Sequence, residues 1–155
     1  MDRAILRAAR PEEGERLTEL ALRSKAYWGY DAAFIDACRP SLTITALKIA
    51  THPYYVVEES GEVVGFYGLK PSSDGEVELD YLFVEPQGIG KGHGRLLFEH
   101  AVATARQQGY ARMSIESEPY AEAFYARMGA VRIGQRESTA KPGRFLPLLS
   151  LRLTP

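Results

Sequence analysis

The stretch from Glu76 to Gln108 constrains this chain more than any other. A strand pattern, Glu76 to Val84, runs through Glu85-Pro86 into the turn Gln87-Gly88-Ile89-Gly90-Lys91-Gly92-His93-Gly94 and out into a helical pattern over Arg95 to Gln108. Glycines crowded between a strand and a helix let several backbone N–H groups converge on one concavity, and the positive end of the helix dipole then favours an anion. A Cβ at those positions would hold phosphate oxygens away. By itself the pattern says that a phosphate group, most simply a pyrophosphate, docks at residues 90 to 95. Two familiar phosphate turns are excluded. The P-loop requires Ser or Thr after Gly-Lys, and here Gly92 follows Gly90-Lys91. The dinucleotide fingerprint requires a third glycine where Leu97 stands and an early parallel βαβ unit, whereas a hairpin precedes this turn.

The other elements read outward from that stretch. Ala4 to Ala8 is a first strand, and Pro11 with Glu12 and Glu13 opens a helix whose Leu17, Leu20, Ala21 and Ser24 share one stripe. Gly29 closes or loosens it, Asp31 caps a second short helix through Ala37, Arg39-Pro40 breaks that one, and Ser41 or Thr43 starts a third before His52-Pro53. Tyr54 to Val57 and Val63 to Leu69 form a hairpin around Glu59-Ser60-Gly61-Glu62, and Pro71 to Gly75 turns the chain into the strand Glu76 to Val84. Leu97, Phe98, Ala101, Val102 and Ala105 form the inner face of the long helix, which Gly109 ends. Arg112 to Glu116 is a strand reached by a βαβ crossover. Ala121, Phe124, Tyr125 and Met128 form a helical stripe stopped by Gly129, and Val131 to Gln135 and Phe145 to Leu153 are the last strands, bridged by the polar segment Arg136 to Arg144.

Composition narrows the class of function. A chain of 155 residues is read as one domain, residues 1–155, and 45% hydrophobic with 25% charged residues lies in the ordinary globular range. Nineteen basic against twenty acidic residues, without like-charge runs, leave no electrostatic footprint for nucleic acid. Cys38 stands alone, so neither an intrachain disulfide nor a cysteine zinc site is available, and three scattered histidines make no metal site. His93 and His100 are expected as turn and helix-surface residues. Met1 to Arg10 lacks the features of a secretion signal, and no run approaches the roughly 20 apolar residues of a membrane span. A cytoplasmic protein without membrane or metal is expected.

Two motifs now carry a resemblance. The strand ending Val84-Glu85-Pro86, its glycine turn, and the helix motif Ala121-Glu122-Ala123-Phe124-Tyr125-Ala126-Arg127-Met128-Gly129 together resemble the GNAT superfamily of acetyl-CoA-dependent N-acetyltransferases, over essentially the whole chain. The resemblance implies an α/β (α+β) GNAT fold, a mixed, mostly antiparallel central sheet with flanking helices. The family signature [Gln/Arg]-x-x-Gly-x-[Gly/Ala], counted without gaps from Pro86, puts Ile89 on the first position and Gly92 and Gly94 on the two small ones. A rival register uses Gln87, Gly90 and Gly92; the ungapped one also turns Leu97 and Phe98 inward. The resemblance implies acetyl-CoA as co-substrate, its diphosphate on Gly90, Lys91, Gly92, His93, Gly94 and Arg95, and its pantetheine arm along the backbone of Leu82, Phe83 and Val84. It also implies Tyr125 as proton donor to the departing thiolate, Glu78 as general base, and homodimerisation.

Read from the residues alone, each role has a plainer alternative. A tyrosine on a buried stripe needs a partner, which is either a thiol sulfur or the protein backbone. Alternation puts Glu78, Asp80 and Leu82 on one face and Val77, Leu79, Tyr81 and Phe83 on the other. Glu78 and Asp80 there are either functional carboxylates or solvated ones. Tyr27, Trp28 and Tyr30, in the densest aromatic segment, either wall the acceptor pocket with Asp80 or pack beneath the first helix. The resemblance implies an amine acceptor, small or protein-borne. A non-catalytic acyl-CoA sensor and a mere interaction module are the alternatives to an enzyme that passes acetyl to a primary amine by direct attack.

Overall fold

The computed structural model describes residues 4–154. Among these, seven strands form one sheet: β1 (Ala4–Ala8), β2 (Tyr54–Glu59), β3 (Glu62–Ser73), β4 (Glu76–Val84), β5 (Arg112–Glu116), β6 (Val131–Glu137) and β7 (Phe145–Arg152), in the order β1-β2-β3-β4-β5-β7-β6. Five helices flank it: α1 (Gly14–Ala26), α2 (Ala32–Cys38), α3 (Ala46–Thr51), α4 (His93–Gln107) and α5 (Glu122–Arg127). All neighbouring strands run antiparallel except β4 and β5, which α4 connects. The architecture is therefore the mixed, mostly antiparallel sheet that the resemblance implies.

The apolar stripes decide which helix covers which face. Leu97, Phe98, Ala101 and Ala105 of α4, with Tyr125 of α5, bury against Val77, Leu79, Met113, Ile115 and Leu149. On the other face Leu17, Leu20 and Ala21 of α1, Cys38 of α2 and Ile49 of α3 pack on Tyr54, Val56, Phe66 and Tyr81. Each large side chain fully buried in these layers stabilises the fold by roughly 1.5–3 kcal/mol. Asp31 caps α2 by accepting from Phe34 N at 2.8 Å, as expected.

Several boundaries differ from the sequence reading, each for a local reason. Pro71, Ser72 and Ser73 belong to β3 rather than to the turn, which narrows to Asp74-Gly75 with Gly75 at φ +73°. The third helix starts at Ala46 under a Thr45 cap, because the Ser41 and Thr43 hydroxyls instead donate back to the Cys38 and Arg39 carbonyls.

The alternation expected along β4 is corrected as well. Gly68 pairs with Tyr81 and Leu69 with Leu79, which leaves Asp80 as an extra residue in a β-bulge. Val77 and Leu79 accordingly join the α4-side core, whereas Tyr81 and Phe83 pack on the α1 side and Leu82 returns to the α4 side. The faces exchange at Asp80.

Candidate active site

The bulge lies at the mouth of a fork. Parallel pairing of β4 with β5 ends at Leu79 and Ile115, while β4 continues to Val84. Beyond Leu79 the β5-facing edge of β4 has no strand partner among the described residues. The opening is a cleft of about 570 Å³ with Asp80 to Val84 on one side, Ile115, Glu116 and Glu118 on the other, and Phe124 and Tyr125 from α5. Leu82, Phe83 and Val84 thus lie along an open edge of the kind that accepts an extended ligand as another strand.

The glycine turn closes one end of this cleft. Gly90 and Gly92 stand at φ +87° and +85°. No heavy atom lies within 4 Å of a Cβ built on either, so the dihedral rather than crowding selects glycine. Another residue would carry about 1–2 kcal/mol of strain there. Gly92 is the N-cap of α4, and no side chain caps that helix. The first helical donor is Leu96 N, to Gly92 O at 3.1 Å, so the N–H groups of His93, Gly94 and Arg95 precede the helix's own hydrogen bonds. All three residues line the cleft with Gly90 and Gly92, whereas Lys91 is exposed and outside the lining. Leu97 and Phe98 are buried, as the ungapped register requires.

The expectation for the two histidines is corrected. His93 is only 5% exposed, and its Nε2 meets Glu59 at 3.1 Å, which ties the turn to the β2–β3 hairpin. His100 is half-buried, with Nδ1 2.8 Å from the Tyr67 hydroxyl. Both follow from α4 lying flat on the sheet.

Tyr125 enters the cleft from the opposite side. It is buried among Phe98 and Phe124, yet it lines the cleft, and its hydroxyl has no hydrogen-bond partner among the described residues. Burial pushes the phenol above its ordinary value, so it stays protonated at neutral pH.

Comparison with known proteins decides the family. Residues 14–130 match the Acetyltransferase (GNAT) family. The chain belongs to it. A peptidyl-lysine N-acetyltransferase, YjaB of Salmonella typhimurium, is 32% identical over 151 residues, 94% of this chain and 95% of that protein. The 5-NmdU N-acetyltransferase of Pseudomonas phage PaMx11 is 30% identical over 132 residues, 84% of this chain and 89% of that one. The fold is shared with PaiA N-acetyltransferase from Thermoplasma acidophilum, solved in complex with coenzyme A, at a TM-score of 0.80 and 18% identity over 97% of this chain and 99% of that one. The protein is accordingly an acyltransferase of the N-acetyltransferase kind, and among the described residues no helix is long and apolar enough to cross a membrane.

Within this GNAT chain the residues expected on the acceptor side separate into two groups. Asp80 and Trp28 line the cleft; Tyr27, Tyr30 and Glu78 do not. Trp28 stacks on Tyr120 with ring centroids 5.0 Å apart, and exposed Tyr27 meets the edge of Trp28 from outside. Tyr30 is drawn into an ion-pair cluster: its hydroxyl donates to Glu118 and accepts from Arg144 at 2.6 Å. Burial raises the carboxyl groups of both Asp80 and Glu78 above their ordinary range, and Asp80 adds repulsion at Glu78. Lys25, Glu118, Tyr120 and Arg144 carried no role in the sequence reading. Glu118 and Tyr120 sit just ahead of the Tyr125 motif, but nothing local marks Lys25 or Arg144 as their partners.

Proposed function

We propose that the protein transfers the acetyl group of acetyl-CoA to a primary amine by direct attack of the amine nitrogen on the thioester carbon. The observation that carries this reading is the fork between β4 and β5, with three uncapped N–H groups at one end and the unpartnered Tyr125 hydroxyl in its wall. The N–H groups of His93, Gly94 and Arg95 suit a diphosphate, with Gly90 and Gly92 allowing its close approach and Arg95 and nearby Lys91 adding positive charge. The open edge at Leu82, Phe83 and Val84 suits the pantetheine amides, and an arm bound there would bring the thioester near the bulge at Asp80.

An ammonium must lose a proton before it can attack. Asp80, on the bulge and in the cleft, takes that proton, and Glu78 behind it takes part through water. A carboxylate held above its usual range by burial is the stronger base for this step. The amine nitrogen then forms the new C–N bond, the C–S bond breaks, the departing thiolate takes the Tyr125 proton, and the second proton shed by the nitrogen as it becomes an amide restores the phenol through water. Measuring thiol release across a panel of amines tests the reading. Transfer that rises with pH as a carboxyl group ionises, with that limb lost in Asp80→Asn and shifted in Glu78→Gln, supports it. An unchanged pH profile in both variants removes these carboxylates from the mechanism.

A further inference from the structure

We infer that the acceptor carries a carboxylate as well as its amine, and that Lys25 receives that carboxylate. The inference rests on the acetyl-transfer reading and names the class of amine. Three charged side chains meet beside the cleft: Lys25 Nζ donates to Glu118 Oε2 at 2.9 Å, and an Arg144 terminal nitrogen donates to Glu118 Oε1 at 3.1 Å. Their side chains are only 12%, 16% and 16% exposed for Lys25, Glu118 and Arg144. Two cations facing one carboxylate leave one positive charge in excess, where water compensates it poorly.

The excess is available at one atom. Both Glu118 oxygens already accept, Oε1 from Tyr30 and Arg144 and Oε2 from Lys25. Arg144 is held by Glu118 and Tyr30, lies over the Tyr30 and Phe34 rings at 5.1 and 5.0 Å, and does not line the cleft. Lys25 does line it, and its ammonium uses one of three donors on Glu118. The opposite charge lies across the cleft at half-buried Asp80, which has no ion-pair partner within 4 Å among the described residues and feels Lys48, Lys70 and His52 only from beyond that distance. A molecule with an ammonium and a carboxylate compensates both ends at once. The Tyr30 ring is already faced by Lys25 and Arg144.

The test reads binding without turnover. Trp28, the sole tryptophan, lines the cleft, so its fluorescence, checked by calorimetry, reports amino-acid binding to the full chain in the presence of coenzyme A. The probes are matched pairs, L-leucine with L-leucinamide and L-lysine with L-lysinamide. At least one acid is expected to bind about tenfold more tightly than its amide, as one charge-assisted bond allows. Lys25→Met, and Lys25→Gln as a second variant, should erase that preference in protein that still unfolds cooperatively on heating, with Lys25→Arg restoring part of it. Equal binding of acid and amide, no binding of either, or a preference that survives in the folded Lys25→Met or Lys25→Gln protein overturns the inference. An acid preference without thiol release from any amine would defeat the acetyl-transfer reading and leave the subsite standing; thiol release without acid preference would do the reverse.

Discussion

The two ends of the cleft are built by different means. At the end proposed for the diphosphate the features are backbone features, two glycines at positive φ and three N–H groups in the first turn of α4, all within residues 90 to 95. At the acceptor end they are side-chain pairs between distant segments: Lys25 to Glu118 spans 93 residues, Tyr30 to Glu118 spans 88, and Arg144 to Tyr30 spans 114. A local sequence determines a local backbone, so the first end is specified by a few consecutive residues. The second can be rebuilt by exchanging side chains while the sheet stays intact. The names of two relatives give acetyl transfer to acceptors as unlike as a peptidyl lysine and 5-NmdU.

The sharpest way to break the comparison is at the residue proposed to serve the reaction rather than at either end. Replacing Tyr125 by Phe removes only a hydroxyl that has no hydrogen-bond partner among the described residues, so stability should hold. Turnover, measured by stopped-time thiol release, should fall by about 10²-fold if the phenol protonates the thiolate. Acetyl-CoA affinity by calorimetry should not follow it. A variant with unaltered kcat would make Tyr125 a packing residue.

The next effect isolates the phosphate end. Gly92 and Gly109, at opposite ends of α4, have nearly the same dihedral, φ +85° and +87°, and open space where a Cβ would go. Alanine at either position should therefore cost about 1 kcal/mol of stability. Only Gly92→Ala should also weaken acetyl-CoA binding, by about tenfold, since only there does the added carbon stand beside the N–H groups assigned to the diphosphate. Equal affinities in the two variants would remove the turn from the binding site.

What could be read ahead of the structure follows the same division. The strands from Tyr54 to Val84 and the helix at Leu97 and Phe98 were legible because period two and period 3.6 are properties of neighbouring residues. The bulge at Asp80 was not. Its cause is a mismatch of register with β3, where Gly68 takes Tyr81 and Leu69 takes Leu79, and no residue of β4 alone announces it. His93 misled for a related reason: a polar residue between two glycines reads as surface, until the β2–β3 hairpin supplies Glu59 as its partner. The ion-pair cluster at Glu118 was out of reach altogether, because a glutamate two residues past a strand looks the same whether or not a lysine and an arginine arrive from elsewhere in the chain.

The smallest expected effects tell a carboxylate kept for the fold from one kept for the site. Glu13 accepts two bonds from Arg7, at 2.9 and 2.8 Å, and one from Arg10 N, and Arg7 holds it well below the usual range, at about 2. A carboxyl group lowered on folding stabilises at neutral pH and loses that contribution as pH falls toward 2. Glu13→Gln should thus cost about 1–2 kcal/mol in urea unfolding at pH 7, and less in acid. Asp80 has the opposite sign. Its carboxyl is raised by burial, so ionisation opposes folding: the contribution to stability is full below the ordinary aspartate value and is lost as pH rises through the raised one. Asp80→Asn should stabilise the protein at neutral pH, by less than about 1 kcal/mol because the site is partly wet, and the gain should vanish in acid. A charge that the fold would do better without, at a bulge beside an open cleft, fits the proton transfer proposed for Asp80. If Asp80→Asn destabilised the protein at pH 7 instead, the carboxylate would be part of the scaffold, and the amine's proton would need another destination.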